Sequence, residues 1–163
     1  QAGDHQAFRV LYEANAPTVF AFLARRVDRA TAEDLTAETF TRAWERLDRF
    51  EWRGVPIRAW LLRIARNLVV ARARRRSSGE VTTDDPRPDP DLGYEDALVD
   101  RLGASSRLGE ALASLTEAQR TIVELRFLRD LSVGEAAVAM EVNEEAVRAL
   151  TYRALRTLRS QLA

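Results

Sequence analysis

The chain lacks several features whose absence limits what it can be. It has no cysteine, so it has neither a disulfide framework nor a zinc site built on thiolates. No apolar run approaches the roughly 18 residues that a membrane span needs, so no membrane contact is expected. No secretory signal peptide is visible, although the chain begins at Gln1 and its native start is left open. The simplest interpretation is a cytoplasmic protein.

The sequence also lacks the side-chain clusters that catalysis and cofactor binding require. Its one histidine, His5, belongs to no His/Asp/Glu cluster with metal-ligand spacing and is predicted to lie on the surface. There is no glycine-rich phosphate loop, and no nucleophile stands beside a candidate base. We therefore predict that the protein is not an enzyme and has no catalytic residue, metal site or cofactor.

Lysine is missing as well, so all 25 basic residues are arginines, and they balance 25 acidic residues. The balance is uneven along the chain: residues 1–78 hold 15 Arg against 9 acids, and residues 79–93 hold 5 acids against one Arg. The arginine guanidinium forms bidentate hydrogen bonds with phosphates and guanine edges, so the abundance of arginine favours nucleic-acid contact. A GC-rich genome, whose codons favour Arg and Ala, explains the same composition, and the count alone does not separate the two explanations.

A domain boundary is predicted within Ser77–Gly93, which holds three of the five prolines at positions 86, 88 and 90. Alternating proline favours extended polyproline II, and such a segment could span roughly 40 Å. Its few apolar residues cannot bury enough surface to fold alone. We predict an all-α protein with two small helical domains, at about 1–78 and 94–163, joined by a flexible acidic proline-rich linker over 79–93.

Apolar residues recur at helical spacing throughout residues 1–78, which predicts a helical bundle. Pro17 suits the first turn of a helix, so a helix is expected to begin there. Thr31 with Asp34 resembles a short-acid capping box, which predicts a helix over Thr31–Asp48. A further helix follows Pro56. Its buried side is predicted to hold Ile57, Trp60, Leu61, Ile64 and Leu68, and its opposite side Arg63, Arg66, Asn67 and Arg74.

The second domain is predicted to contain a helix-turn-helix. Thr116 is a candidate N-cap for a helix over Glu117–Leu128. Ser132 and Glu135 have capping-box spacing at the start of a short helix over Val133–Met140. Asn143 is then expected to cap a long helix, about Glu144–Leu162. Two helices joined by a tight turn, the second long and Arg-bearing, are typical of DNA-reading units. The residues of the long helix predicted to face inward are Val147, Leu150, Leu155 and Leu158.

Four strings occur in order along the chain: TAEDLTAETFTRAW, AWLLRIARN, LTEAQRTIVELRFLRDLS and the helix-turn-helix. In this order they resemble the extracytoplasmic-function (ECF) sigma factors of the sigma-70 family, with residues 1–78 similar to region 2 and residues 94–163 similar to region 4. The resemblance implies a subunit that binds core RNA polymerase, directs it to promoters and promotes melting of the DNA. The implied partners are the β′ clamp helices, the β flap and promoter DNA, and whether an anti-sigma factor exists stays open.

The resemblance also implies roles for residues of the first domain. In the Thr31–Asp48 helix the residues matched to polymerase binding are Asp34, Leu35, Glu38 and Arg42, while Phe40 and Trp44 are predicted to lie in the core. The residues matched to the −10 element are Phe50, Trp52, Arg53, Arg58, Arg63, Arg66, Asn67 and Arg74. An aromatic and arginine-rich loop at 48–58 can stack a flipped base and hold its phosphate. Alternatively, Phe50 and Trp52 only close the helical core.

The last helix is expected to enter the major groove of the −35 element with its N-terminal residues on base edges. The residues assigned to this contact are Asn143, Glu144, Glu145, Arg148, Thr151, Tyr152, Arg153 and Arg156. The chain departs from many relatives at Ala71, where an acid is common, and at Glu141 and Glu145, where glycine is common. The base preference is therefore not predicted.

Two other classes of function are compatible with part of the sequence. One is a free-standing transcriptional regulator, with residues 94–163 on operator DNA and residues 1–78 sensing a ligand or dimerising. The other is an interaction module that binds polymerase without DNA. Neither explains both the polymerase-binding motif and the aromatic-arginine loop.

Overall fold

The structure is a computed structural model that describes residues 2–47, 50, 54, 56–79 and 106–163. The chain divides into two compact units, Gln1–Leu92 and Gly93–Ala163, and each is described by itself. All regular secondary structure in the described ranges is helical, which confirms the all-α prediction. Apart from Gly79, the predicted linker over 79–93 lies outside the described residues, so its flexibility remains a prediction.

The described part of the first unit contains three helices: α1, Ala2–Ala24; α2, Arg29–Arg46; and α3, Ile57–Ser77. Each of the three helices contacts the other two, which gives a small bundle. The apolar stripes of the sequence meet in its centre. The largest side chains buried there are Phe22, Leu23, Leu61, Leu62 and Leu68.

The prediction that Pro17 begins a helix is wrong, because α1 runs through it from Ala2 to Ala24. Proline inside a helix removes one backbone hydrogen bond and clashes with the carbonyl four residues earlier, at a cost of about 3 kcal/mol. Both halves of α1 are nevertheless held by packing: Phe22 is buried in the bundle, and Tyr12 meets the ring of Phe40 at 4.6 Å between centroids. Tertiary contacts thus outweigh the local preference of proline.

The start of α2 also differs from the prediction. The N-cap is Asp28, whose Oδ2 accepts a hydrogen bond from the Thr31 backbone N–H at 3.0 Å, and the helix begins at Arg29. Thr31 with Asp34 therefore does not cap the helix. Starting α2 earlier buries the Thr31 side chain, which is 6% exposed. The helix ends at Arg46, and Asp48 lies outside the described residues.

The described part of the second unit contains four α-helices: α4, Ser106–Ala113; α5, Glu117–Val123; α6, Val133–Met140; and α7, Glu144–Leu162. Helix α7 packs against the other three. Thr116 and Ser132 form the capping boxes of α5 and α6, and the Asn143 side chain accepts from the Ala146 N–H at 2.8 Å. The predicted caps and the bounds of α6 and α7 are confirmed.

The predicted single helix over Glu117–Leu128 is instead α5 followed by a π-helical turn, Glu124–Leu128. The Arg129 N–H donates to the Glu124 carbonyl at 3.0 Å, and the Arg129 guanidinium lies 3.4 Å from the Glu124 carboxylate, which is buried. This ion pair brackets the π-helical turn where the chain turns towards α6, so a local contact between residues five apart accompanies the wider turn.

Candidate nucleic-acid interface

The exposed face of α2 holds most of the residues matched to polymerase binding. The Arg42 guanidinium donates to the Glu38 carboxylate at 2.6 Å, and both side chains are 43% exposed. Asp34 is exposed one turn before Glu38. Leu35 is only 6% exposed and packs in the bundle, so it cannot reach a partner directly. The structure therefore brings Asp34, Glu38 and Arg42 to one accessible surface and assigns Leu35 to the core.

The prediction that Trp44 lies in the core is wrong, because this side chain is 37% exposed. Its indole stacks on the His5 ring at 5.2 Å between centroids and meets the edge of Phe8 at 4.8 Å. Phe40, by contrast, is 3% exposed, as predicted. His5 lies on the surface, as expected, and α1 and α2 thus share a partly exposed aromatic cluster.

Helix α3 separates an apolar side from a basic side, as predicted. On the apolar side Leu61, Ile64 and Leu68 are buried, but Ile57 and Trp60 are only half-buried, and on the other side Asn67 and Arg74 are exposed. Arg63 and Arg66 are half-buried on the basic side. The last turn of α3 carries three consecutive arginines, 74 to 76, where cations complement the negative end of the helix dipole. The basic side of α3 is therefore suited to a phosphate backbone.

The loop before α3 is described only in part. Trp52 and Arg53 lie outside the described residues, so nothing is added to their predicted roles. Phe50 is half-buried, and its ring lies 4.7 Å from that of Trp60, between centroids. This contact agrees with the alternative that Phe50 closes the helical core. Arg58, in the first turn of α3, is half-buried.

The N-terminal half of α7 exposes a mixture of acids and arginines. Glu144, Glu145 and Arg148 are exposed, and the Arg148 guanidinium donates to the Glu144 carboxylate at 2.8 Å. The Tyr152 side chain is 68% exposed. Leu155, which was predicted to face inward, is 45% exposed, so that prediction is wrong. Further along, Arg153 and Arg156 are also exposed.

Two further residues assigned to the −35 element have local structural partners. The Asn143 side chain caps α7, and the Thr151 hydroxyl donates to the Val147 carbonyl at 2.8 Å.

The turn before α7 places Glu141 at φ 55° in the left-handed region, which suits glycine and is strained for other residues. The glycine that the resemblance implies at this position would adopt this conformation without strain.

One interhelical contact of the first unit was not found from the sequence. The Arg72 guanidinium of α3 lies 3.5 Å from the Thr31 hydroxyl oxygen of α2. Burial raises the pKa of the neighbouring Asp28 carboxyl, but hydrogen bonds from Thr31 and the charge of Arg72 outweigh it, so this pKa lies below its ordinary value. The partners are 41 residues apart, and no local pattern could have linked them.

The described residues contain no group of three His, Cys, Asp or Glu side chains arranged to hold a metal ion. No helix in the described ranges has the length and apolar character that crossing a membrane requires.

The sequence matches family models at both ends. Residues 11–79 match Sigma-70 region 2, and residues 111–160 match Sigma-70, region 4. The ECF RNA polymerase sigma factor BldN of Streptomyces coelicolor is 42% identical over 97% of this chain, which spans 61% of BldN. The ECF RNA polymerase sigma factor SigL of Mycobacterium tuberculosis is 30% identical, with 99% of this chain and 92% of SigL covered.

A solved structure also shows similarity to a sigma factor. The sigma factor RpoE of Bartonella quintana, crystallised with the anti-sigma factor NepR, is similar with a TM-score of 0.68 and 25% identity. The match covers 96% of this chain and 97% of RpoE. These similarities extend over both helical units. The chain therefore belongs to the ECF RNA polymerase sigma factors of the sigma-70 family.

Proposed function

We propose that this protein binds core RNA polymerase, directs it to promoters with −10 and −35 elements, and promotes melting of the DNA. The observation that carries this proposal is the arrangement of α2 and α3, which pack on each other in one bundle. Helix α2 exposes Asp34 and the Glu38–Arg42 pair, whereas α3 exposes Asn67 and Arg74. A single small unit can therefore hold a protein on one helix and DNA on the other.

The polymerase contact is assigned to Asp34, Glu38 and Arg42. Their charges are accessible and lie within about two turns of one helix, which suits binding to a charged helical surface such as the β′ clamp helices. Leu35 contributes by anchoring α2 to the bundle. The contact of the second unit with the β flap is part of the same proposal and rests on the match to region 4.

The −10 contact is assigned to the basic side of α3 and to the loop before it. Arg63, Arg66, Asn67 and Arg74 would follow the backbone of the melted strand. Trp52 is the aromatic assigned to stacking on a flipped base, with Arg53 and Arg58 near its phosphate. Phe50 is assigned to support of the loop, because its ring packs on Trp60.

The −35 contact is assigned to the exposed side of α7. Arg148 is placed to reach a guanine edge, and Arg153 and Arg156 to reach phosphates. The two acids at the start of the helix suit its dipole but repel phosphates. Weak intrinsic binding to duplex DNA follows, so the second unit would depend on polymerase to hold it at the promoter.

Two further points belong to the same proposal. RpoE, which resembles this chain, was crystallised with an anti-sigma factor, and this supports adding an anti-sigma factor to the partners. A sigma factor acts where polymerase transcribes, so we place the protein in the cytoplasm. The role requires no catalytic group of its own, because polymerase performs the chemistry.

A titration with purified core polymerase tests the proposal. Core polymerase with this chain should produce transcripts from specific start sites on genomic templates, whereas core alone should not. Tight operator binding by the chain alone, with no effect on core polymerase, would support a free-standing regulator. Binding to core without start-site selection would support an interaction module.

A further inference from the structure

Arg72 lies on the side of α3 that is turned away from the basic surface. At about 3.6 residues per turn, its position nine residues after Arg63 puts it on the opposite side of the helix. Its guanidinium reaches the Thr31 hydroxyl oxygen of α2 at 3.5 Å. This arginine therefore faces the neighbouring helix rather than the basic surface.

The contact would be unfavourable without a third residue. The N-terminal end of a helix carries partial positive charge, which repels a guanidinium. Asp28 lies there as the N-cap of α2, is 8% exposed, and accepts the Thr31 backbone N–H at 3.0 Å. Its carboxylate offsets both the helix end and the charge of Arg72.

Thr31 connects the two charged groups through its backbone N–H and its hydroxyl oxygen. A hydroxyl donates one hydrogen bond while its oxygen accepts others. Here its oxygen lies 3.5 Å from the Arg72 guanidinium, while the Thr31 backbone N–H donates to the Asp28 carboxylate. The Thr31 side chain is 6% exposed, so its contact with Arg72 is shielded from water, which strengthens it electrostatically.

We infer that Thr31 and Arg72 are positioning residues for promoter opening, which fix α3 against the start of α2 through the connection Arg72–Thr31–Asp28. Arg74 is two residues beyond Arg72, on the basic side, so the same connection holds the end of the −10 surface at a set place relative to the polymerase-binding helix. The inference rests on the proposed function of α2 and α3.

Thr31→Val tests the connection with little change of shape, because it removes the hydroxyl and keeps the backbone N–H that caps α2. Thr31→Ser is the matched control, since it restores the hydroxyl. With saturating core polymerase, Thr31→Val should slow opening of a duplex promoter by about two- to three-fold, the low end for one lost hydrogen bond, because 3.5 Å is a long donor–acceptor distance. The affinity for core should not change, and Thr31→Ser should open the promoter at close to the parental rate.

Arg72→Met provides a second, independent variant, and the pair forms a double-mutant cycle. If both residues act through one connection, the double variant should be no slower than the slower single variant. Independent contributions would multiply, and this outcome would overturn the inference. A parental opening rate in Thr31→Val, an equal defect in Thr31→Ser, or a loss of core affinity in step with opening would also overturn it.

Thermal unfolding of the full chain separates positioning from simple loss of fold. The inference expects both variants to remain folded at the assay temperature, with the opening defect present there. A defect that disappears when the assay is run further below the unfolding midpoint would mean that the residues act only through stability. If the parent itself gives no promoter-directed transcript, the proposed function fails, and the inference falls with it.

Discussion

Glu38 and Arg42 are joined by a hydrogen bond of 2.6 Å between carboxylate and guanidinium, one turn apart on the accessible face of α2. An exposed pair of this kind contributes only about 0.3–0.5 kcal/mol to helix stability. The pair is therefore of little importance for the fold, and its charges remain available to a partner.

Exchanging the two residues tests their role in polymerase binding. Glu38→Arg with Arg42→Glu keeps an ion pair at the same spacing, so helicity and thermal stability should stay close to the parent. Affinity for core polymerase should fall about ten-fold or more, because like charges set against each other across an interface cost several kcal/mol. Fluorescence titration of the variant with core polymerase measures this affinity. Unchanged affinity would remove this face of α2 from the interface.

The strained turn before α7 gives a prediction about stability. Glu141 has φ 55°, where a residue with a side chain is less stable than glycine by roughly 1–2 kcal/mol. Glycine loses part of this advantage through its more flexible unfolded chain. Glu141→Gly should stabilise the second unit by about 0.5–1 kcal/mol in urea unfolding. Glu141→Ala, which removes the charge and keeps the strain, is the control and should not show this gain.

The pair formed by Glu144 and Arg148 gives a prediction about DNA affinity. The Glu144 carboxylate accepts a hydrogen bond from the Arg148 guanidinium, which is proposed to contact guanine. Glu144 therefore competes with the DNA for Arg148. In holoenzyme, Glu144→Gln should tighten binding to a −35 duplex by about two-fold, which matches the strength of an exposed pair. Glu145→Gln removes an equal charge one residue later and leaves the pair intact. An equal gain in both variants would attribute the effect to charge alone.

Asp28 predicts a dependence of stability on pH. The pKa of its carboxyl is lowered from 3.8 in the folded protein, so its contribution is complete above that value and is lost as the pH falls below it. Because Asn caps helices about as well as Asp, Asp28→Asn keeps the cap and removes the negative charge beside Arg72. The loss of this charge should lower the unfolding temperature at neutral pH. It should also flatten the fall of the unfolding temperature below pH about 4. Parallel pH profiles for parent and variant would contradict this.

Short-range signals were the ones that could be predicted from the sequence. The capping box of Ser132 and the Asn143 cap involve residues three apart, so a local pattern is sufficient to identify them. The passage of α1 through Pro17 depends on packing against α2 and α3, which local preference does not contain. The same distinction applies to the candidate site. The exposed charges on α2 and α3 could be predicted from helical spacing, whereas the inward direction of Arg72 depends on a partner in another helix.

Promoter melting gives the last prediction, which compares two aromatics of the loop before α3. Phe50 packs on Trp60, so Phe50→Ala should lower the unfolding temperature of the protein. Trp52 is assigned to a flipped base, and stacking of that kind is worth roughly 1–3 kcal/mol, close to the cost of unstacking one base. Trp52→Ala should therefore leave stability unchanged and slow opening of a duplex promoter about ten-fold.

A promoter whose −10 bubble is already open separates the two roles. On that template the unstacking cost is absent, so Trp52→Ala should recover part of its lost transcription, because only the contact itself is missing. Phe50→Ala, which weakens the bundle, should be equally impaired on both templates. If Trp52→Ala shows equal defects on both templates together with a lower unfolding temperature, then Trp52 supports the core and the loop has no separate part in opening.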